Sequence, residues 1–111
     1  MLRLIFFESE SGRCYVEEFL NGLTTQDRAA LLAVLTDIEE QGFGAVGCQF
    51  RQIDGKLWEI KIRASGGGYR FFYVTLSGGT MVLLHAYKKK TQKAPRKEVK
   101  IARKRMKEVL S

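Results

Sequence analysis

The segment from residue 55 to residue 90, GKLWEIKIRASGGGYRFFYVTLSGGTMVLLHAYKKK, holds most of the pattern that decides the fold. It consists of three apolar runs separated by two glycine-rich stretches, ASGGG and SGG. Short apolar runs joined by glycine-containing connections are typical of antiparallel hairpins. We therefore predict three consecutive antiparallel strands, over residues 57–63, 69–76 and 81–87.

The first of these runs alternates between apolar and charged residues. Successive side chains of a strand point to opposite faces, so the pattern predicts one buried face and one charged, solvated face. The second run, YRFFYVTL, is apolar at both parities and is expected to be central in the sheet. The apolar positions of the first run are Trp58, Ile60 and Ile62, and the charged positions are Glu59, Lys61 and Arg63.

Helical patterns lie on both sides of this segment. A strand over residues 2–7 precedes a short helix over 15–20 and a second helix that begins near Thr24 or Thr25 and ends at Gly42. After the last strand, Pro95 suits the first position of a helix that runs to Leu110.

The order of these elements predicts an α+β fold. A chain of 111 residues closes one hydrophobic core, so residues 1–111 are expected to form a single domain. We expect an N-terminal strand and a helical hairpin packed on one face of a small antiparallel sheet, followed by a C-terminal helix. This arrangement leaves the other sheet face free to bind a ligand.

Charge is divided sharply along the chain. Residues 1–50 hold three Lys or Arg against eight Asp or Glu, a net charge of −5, whereas residues 51–111 hold sixteen against four, a net charge of +12. Basic residues that serve only solubility would be spread evenly. Their concentration in one half favours a polyanionic ligand.

Several classes of protein and site are disfavoured by composition. The longest uninterrupted apolar stretch, at residues 29–35, is too short to cross a bilayer, and no cleavable signal sequence is apparent, so we expect a cytoplasmic protein without a membrane partner. Cys14 and Cys48 lie far apart without histidines at ligand spacing. The four acidic residues after position 50 are scattered, so we expect no catalytic metal and no small-molecule cofactor.

Five stretches together resemble the HigB-like branch of the RelE/ParE toxin superfamily. They are FFESESGRCYVEEFL, GKLWEIKIR, GGYRFFYV, LLHAYKKKTQKAP and the helix beginning EVKIARKR. The resemblance spans nearly the whole chain and implies a RelE-like fold. It also implies the toxin of a type II toxin-antitoxin system, which cleaves mRNA on the ribosome and is neutralised by a cognate antitoxin with a helix-turn-helix domain.

RNA cleavage without a metal needs a base for the ribose 2′-hydroxyl, cations for the charge on phosphorus, and an acid for the leaving 5′-oxygen. The resemblance assigns Arg70 to the scissile phosphate, and a planar guanidinium fits two phosphate oxygens. It assigns Lys61 the role of base or phosphate anchor. Neighbouring cations would lower the pKa of this lysine and so favour its action as a base.

Three further residues are candidates for proton transfer. Glu59 stands where some relatives carry a second lysine, and it either takes the proton itself or holds a cation. His85, the only histidine, is either a general acid or base or a core residue between Leu84 and Ala86. Tyr87 has the same strand parity as His85 and either donates to the leaving oxygen, stacks on a base, or closes the core.

The remaining candidates are basic residues that would contact RNA. Two rival functions remain: a gyrase-inhibiting toxin of the same fold, against which Arg70 and Lys61 argue, and a non-catalytic RNA-binding module, for which the basic half would suffice. The candidate RNA-binding residues are Arg63, Lys88, Lys89, Lys90 and Lys93.

Overall fold

A computed structural model describes residues 1–90 and 94–111 of the chain. The α+β class is confirmed, with five strands and three α-helices in the described residues. In chain order these are β1 (Arg3–Phe6), α1 (Tyr15–Asn21), α2 (Thr25–Gln41), a 3₁₀ turn (Gly42–Gly44), β2 (Gln49–Asp54), β3 (Leu57–Ala64), β4 (Gly67–Leu76), β5 (Thr80–Lys88) and α3 (Arg96–Leu110).

The five strands form one sheet in the order β1-β5-β4-β3-β2. Strands β3 to β5 are antiparallel neighbours, as the hairpin pattern predicted, β2 adds a further antiparallel neighbour to β3, and β1 pairs with β5 in parallel. The sheet is therefore mixed and not wholly antiparallel. Parallel neighbours need a crossover connection, and between β1 and β5 the chain forms α1, α2 and the three other strands.

Strand β2 was not predicted from the sequence. Its residues, QFRQID, include only two apolar side chains, Phe50 and Ile53, so neither period-two alternation nor a long apolar run marks it. It lies at the edge of the sheet and pairs with β3, with Gln49 opposite Lys61 and Arg51 opposite Glu59. An edge strand tolerates such polarity because part of it faces water.

Helix α2 follows its predicted pattern closely. The Thr24 hydroxyl caps the helix by accepting a hydrogen bond of 3.1 Å from the Asp27 amide. Leu31, Leu35 and Ile38 are buried at helical spacing. Gly42 ends the helix with a φ of 62°, which a residue with a side chain rarely adopts.

The two faces of the sheet carry different helices. Helices α1 and α2 pack on the face that presents Ile60, Phe71 and Leu83. Helix α3 packs on the opposite face, which presents Phe72 and Val74. The expectation that this second face is free was therefore wrong, because the apolar stripe of α3 needs a surface to bury. Helix α3 leaves uncovered the part of this face at the end of β3 and the start of β4 that lines the cleft described below.

In the part of the chain that the structure describes, no helix is long and apolar enough to cross a membrane.

Candidate nucleic-acid interface

A surface cleft of about 460 Å³ opens where β2, β3 and β4 meet the residue that follows β5. It is lined by four cationic side chains and, among the described residues, by no acidic one. We call it the basic cleft. Its lining residues are Gly47, Cys48, Gln49, Lys61, Ile62, Arg63, Gly68, Tyr69, Arg70 and Lys89.

Strand register brings the predicted residues together in the basic cleft. Lys61 of β3 lies directly opposite Arg70 of β4, and Arg63 lies opposite Gly68. Residues opposite each other in an antiparallel pair project from the same face. Sequence predicted Lys61 and Arg70 on neighbouring strands, and the structure places them side by side on the face that also carries α3.

Glu59 is not on a solvated face. Its side chain is 0% exposed, and its Oε1 accepts a hydrogen bond of 2.6 Å from Nη1 of Arg70, which is itself 3% exposed. The alternation in β3 correctly predicted which face of the sheet carries Glu59, but it did not predict that the side chain is buried there. Water is excluded because Leu57 and Glu59 lie under α3 and between paired strands. Glu59 Oε2 is buried and has no hydrogen-bond partner among the described residues.

Arg51 of β2 is a second cation on the same carboxylate, and the sequence analysis missed it. Its Nη2 lies 3.0 Å from Glu59 Oε1, and its side chain is partly exposed beside the basic cleft. The signal that would have found it is the β2 register, in which Arg51 lies opposite Glu59. Without β2, nothing in the sequence links the two residues.

The environment of Lys61 lowers the pKa of its ammonium group. Partial burial is the largest cause, followed by repulsion from Arg51 and Arg70, while Glu59 acts in the opposite direction. A lowered pKa increases the neutral fraction near neutrality. The amine can therefore accept a proton more readily than an ordinary surface lysine.

Tyr87 of β5 lies opposite Arg70 and stacks on Phe72 at a centroid distance of 5.6 Å. Its hydroxyl is buried without a hydrogen-bond partner among the described residues. Burial, with a smaller contribution from the charge of Glu59, raises the pKa of Tyr87 to about 12. The phenol therefore stays protonated at neutral pH and lies beneath the cleft surface.

His85 is held between two side chains of α3. Its Nε2 lies 2.7 Å from Oε1 of Glu98, and its Nδ1 lies 3.2 Å from Nη1 of Arg105. Because a guanidinium only donates, Nδ1 accepts and Nε2 carries the proton toward Glu98. Burial lowers the pKa of His85 despite the opposing effect of Glu98. Both ring nitrogens are thus engaged in attaching α3 to the sheet.

The lysines at the end of β5 and directly after it lie in different surroundings. Lys89 donates its backbone amide to the Gly68 carbonyl at 2.8 Å and lines the basic cleft. The Lys88 ammonium lies 6.0 Å from the centroid of the Tyr69 ring, on the opposite side of the strand. Lys90 is exposed. Lys93, also predicted to bind RNA, lies outside the described residues.

Asp27 fixes the hairpin that forms one wall of the cleft. This buried residue of α2 accepts hydrogen bonds from the Tyr69 hydroxyl at 2.6 Å and from the Gly66 amide at 3.1 Å and 3.2 Å. A Cβ on Gly66 would overlap Asp27 Oδ2, so this position requires glycine. The hydrogen bond to Asp27 also raises the pKa of Tyr69 to about 12.

No group of three or more His, Cys, Asp or Glu residues in the described ranges is arranged to hold a metal ion. In the part of the chain that the structure describes, Glu59 is the one acidic side chain that forms an ion pair with a cation lining the cleft, and Arg51 and Arg70 already engage it.

Comparison with known proteins gives one match. A family model described as phage-derived protein Gp49-like (DUF891) matches residues 18–107, which is most of the chain and includes all of the basic cleft. No curated protein matches the chain.

Proposed function

Because the chain belongs to the Gp49-like family of phage-derived proteins, a family of RelE/HigB-like toxin-type proteins, we propose that it is an endoribonuclease that cleaves mRNA on the ribosome. The observation that carries this proposal is the opposition of Lys61 and Arg70 in a cleft whose charged lining residues, among those the structure describes, are all cationic. A cleft of this kind attracts phosphate and offers a possible base beside it.

The proposed reaction is an intramolecular displacement at phosphorus. The ribose 2′-oxygen loses its proton to the neutral Lys61 amine and forms a bond to phosphorus, and the bond from phosphorus to the 5′-oxygen breaks. The departing 5′-oxygen takes a proton from a water molecule in the cleft, and the Lys61 ammonium later returns its proton to solvent. The products are a 2′,3′-cyclic phosphate and a 5′-hydroxyl end.

Arg70 is the group that would neutralise charge developing on the phosphorus oxygens. Glu59 holds it by Nη1 from below, so the guanidinium is fixed before the substrate arrives, which is what electrostatic stabilisation of a transition state requires. Arg63 and Lys89 line the same cleft and would anchor the flanking phosphates. Glu59 then positions cations and does not itself take the proton.

A toxin of this family is expected to have an antitoxin partner. We propose that this partner carries a helix-turn-helix domain and that an acidic segment of it covers the basic cleft. Such a segment would compete with RNA for Lys61, Arg63 and Lys89, and relief of growth arrest by the neighbouring gene would test this.

The catalytic proposal is tested by mapping mRNA ends after purified protein is added to translating ribosomes. We expect new 5′-hydroxyl ends with the wild type and none with Arg70→Ala or Lys61→Ala, while ribosome binding is largely retained. Lys56→Ala is the matched control, because it removes one exposed positive charge from the turn before β3, outside the cleft. It should cleave as the wild type does.

Two results would overturn the proposal. Intact mRNA with the wild type, together with retained RNA binding, would identify a non-catalytic RNA-binding module. This alternative has specific support, because the burial of the Tyr87 hydroxyl and the engagement of both His85 nitrogens leave neither residue free as a general acid. Intact mRNA with loss of DNA supercoiling by gyrase would identify a gyrase-inhibiting toxin.

A further inference from the structure

Strand β1 is an edge of the sheet whose outer side is unpaired in the described ranges. The amides of Arg3 and Phe7 donate to Gly79 and Leu83, each at 2.8 Å, so these odd-numbered positions face the chain next to them in the sheet. By alternation, the backbone groups of Leu4 and Phe6 point away from the sheet. A second polypeptide could pair with them as an additional strand.

A groove lies on each side of this edge. One groove, of about 450 Å³, lies between β1 and helices α1 and α2, and the other, of about 480 Å³, lies between β1 and the end of α3. Both are lined by Ile5 and Phe6, and Ile5 is 38% exposed. An added strand sends alternate side chains to opposite faces, so its two sets of side chains would enter the two grooves.

All charged residues that line the two grooves are acidic. The lining of the two grooves includes five glutamates and, in the described residues, no Lys or Arg. None of the five lies within 4.0 Å of a cationic group among the ion pairs of the described chain. In a protein of net charge +7, the lining of the β1 edge is therefore locally acidic. The glutamates are Glu8, Glu10, Glu17, Glu39 and Glu108.

We propose that the β1 edge binds an extended strand of a partner protein in which Lys or Arg alternates with apolar residues. The free backbone groups supply affinity along the strand, the apolar walls accept its aliphatic side chains, and the glutamates pair with its cations. The chemistry of this edge is opposite to that of the basic cleft.

The same observations disfavour other occupants. Among the described residues, the charged side chains that RNA or an anionic lipid would meet in the grooves are all glutamates. A second copy of this chain joined through β1 would place the two sets of glutamates against each other, and opposed like charges are destabilising. A cationic polypeptide is the occupant that satisfies both the free backbone and the charge.

The inference does not depend on RNA cleavage. In the strand order, β1 and β2 are the two opposite edges of the sheet, so the cationic strand binds away from the basic cleft. Its test is a binding measurement on the intact protein, which gives the same answer whether or not the protein is a nuclease.

The probe is the capped, fluorescein-labelled peptide KVKVKVK, titrated with protein at low salt and followed by fluorescence anisotropy. We expect the double variant Glu8→Lys, Glu17→Lys to weaken binding about tenfold or more, because two attractions become repulsions. The matched control is the double variant Asp37→Lys, Glu40→Lys, which makes the same change of four charges at two positions of α2 outside both grooves.

Two measurements on the wild-type protein separate strand pairing from general attraction. The amides of Leu4 and Phe6 should become protected from hydrogen exchange when the peptide is added. A peptide with alternate backbone nitrogens methylated should bind at least about tenfold more weakly, because it loses pairing on one edge.

Three outcomes would overturn the inference: equal weakening by Asp37→Lys, Glu40→Lys, equal binding of the methylated peptide, or sedimentation that shows self-association abolished by Glu8→Lys, Glu17→Lys. The first would reduce the effect to net charge. The second would exclude strand pairing. The third would make a copy of this chain the occupant.

Discussion

The protein contains two buried carboxylates on opposite sides of its sheet, and they are satisfied in different ways. Asp27 accepts hydrogen bonds from two neutral donors, the Tyr69 hydroxyl and the Gly66 amide. Glu59 contacts two guanidinium groups through one oxygen, and its second oxygen has no partner in the described part of the chain.

The difference separates the structural role of Asp27 from the functional role that we propose for Glu59. The hydrogen bonds of Asp27 join α2 to the β3–β4 hairpin, as buried polar groups in a stable core should be joined. Glu59 has a carboxylate oxygen without a hydrogen-bond partner among the described residues, so it is poorly suited to stabilising a core. Its effect is to fix Arg70 beneath a surface that is open to a ligand. Incomplete satisfaction of a buried charge is therefore the better guide to the site.

The largest effect on stability is expected from Glu59→Ala. It leaves the Arg70 guanidinium buried without its carboxylate, and removing one partner of a buried ion pair costs about 3–5 kcal/mol. Urea unfolding followed by circular dichroism measures the loss. A loss below about 1 kcal/mol would mean that Arg70 reaches water without Glu59.

Asp27→Ala should cost somewhat less, about 2–3 kcal/mol, because it leaves one hydroxyl and one amide without acceptors. The same unfolding experiment measures it, with Asp37→Ala as a control on the same helix. If Asp27→Ala destabilised the protein more than Glu59→Ala, the distinction between the two carboxylates would fail.

Paired apolar replacements sharpen the comparison further. The double variant Glu59→Met, Arg70→Met should unfold within about 1 kcal/mol of the wild type, since an apolar pair replaces a buried ion pair at little cost. It should nevertheless cleave no RNA. Asp27→Leu, Tyr69→Phe should remain about 1–2 kcal/mol below the wild type, because the Gly66 amide still lacks an acceptor. If both double variants recovered the stability of the wild type equally, this reasoning would be contradicted.

The smallest expected effect is a loss of stability at alkaline pH, which is absent at neutral pH. It comes from the tyrosine beside each carboxylate. The pKa values of Tyr69 and Tyr87 are both raised to about 12, chiefly by the Asp27 hydrogen bond for Tyr69 and by burial for Tyr87. The stability that the neutral phenols supply is complete below the ordinary pKa near 10 and is lost as the pH rises through about 12.

Alkaline titration by phenolate absorbance distinguishes these two causes. Asp27→Asn should lower the pKa of Tyr69, because that carboxylate is the main cause of the shift. Glu59→Gln should change the pKa of Tyr87 less, because burial remains. A larger change at Tyr87 than at Tyr69 would reverse the assignment of causes.

Much of the fold could be predicted because its signals are local. Glycine-separated apolar runs gave β3 to β5, and a threonine cap with buried residues at helical spacing gave α2. The parallel pairing of β1 with β5, the edge strand β2 and the packing of α3 on the second face depend on contacts between distant segments. No pattern within one segment records such contacts.

The candidate site, like the fold, could be predicted only in part from the sequence. The sequence predicted Lys61 and Arg70 on neighbouring strands, and the register places them opposite each other on one face. It could not show that Glu59 is buried or that Arg51 contacts it, because both facts require β2 and α3. It also left open whether His85 is free, and only the positions of Glu98 and Arg105 on α3 show both ring nitrogens engaged.

The segregation of charge along the chain becomes a separation in space, with the acidic β1 edge and the basic cleft near opposite edges of a five-stranded sheet. At a strand spacing of about 4.8 Å the two edges lie roughly 19 Å apart, more than twice the screening length of about 8 Å at physiological ionic strength. Such a molecule has a large electric dipole moment. Near a polyanion the molecule would rotate before contact, so that its first collisions would bring the basic cleft toward the polyanion. The rate of these collisions would fall as salt is added.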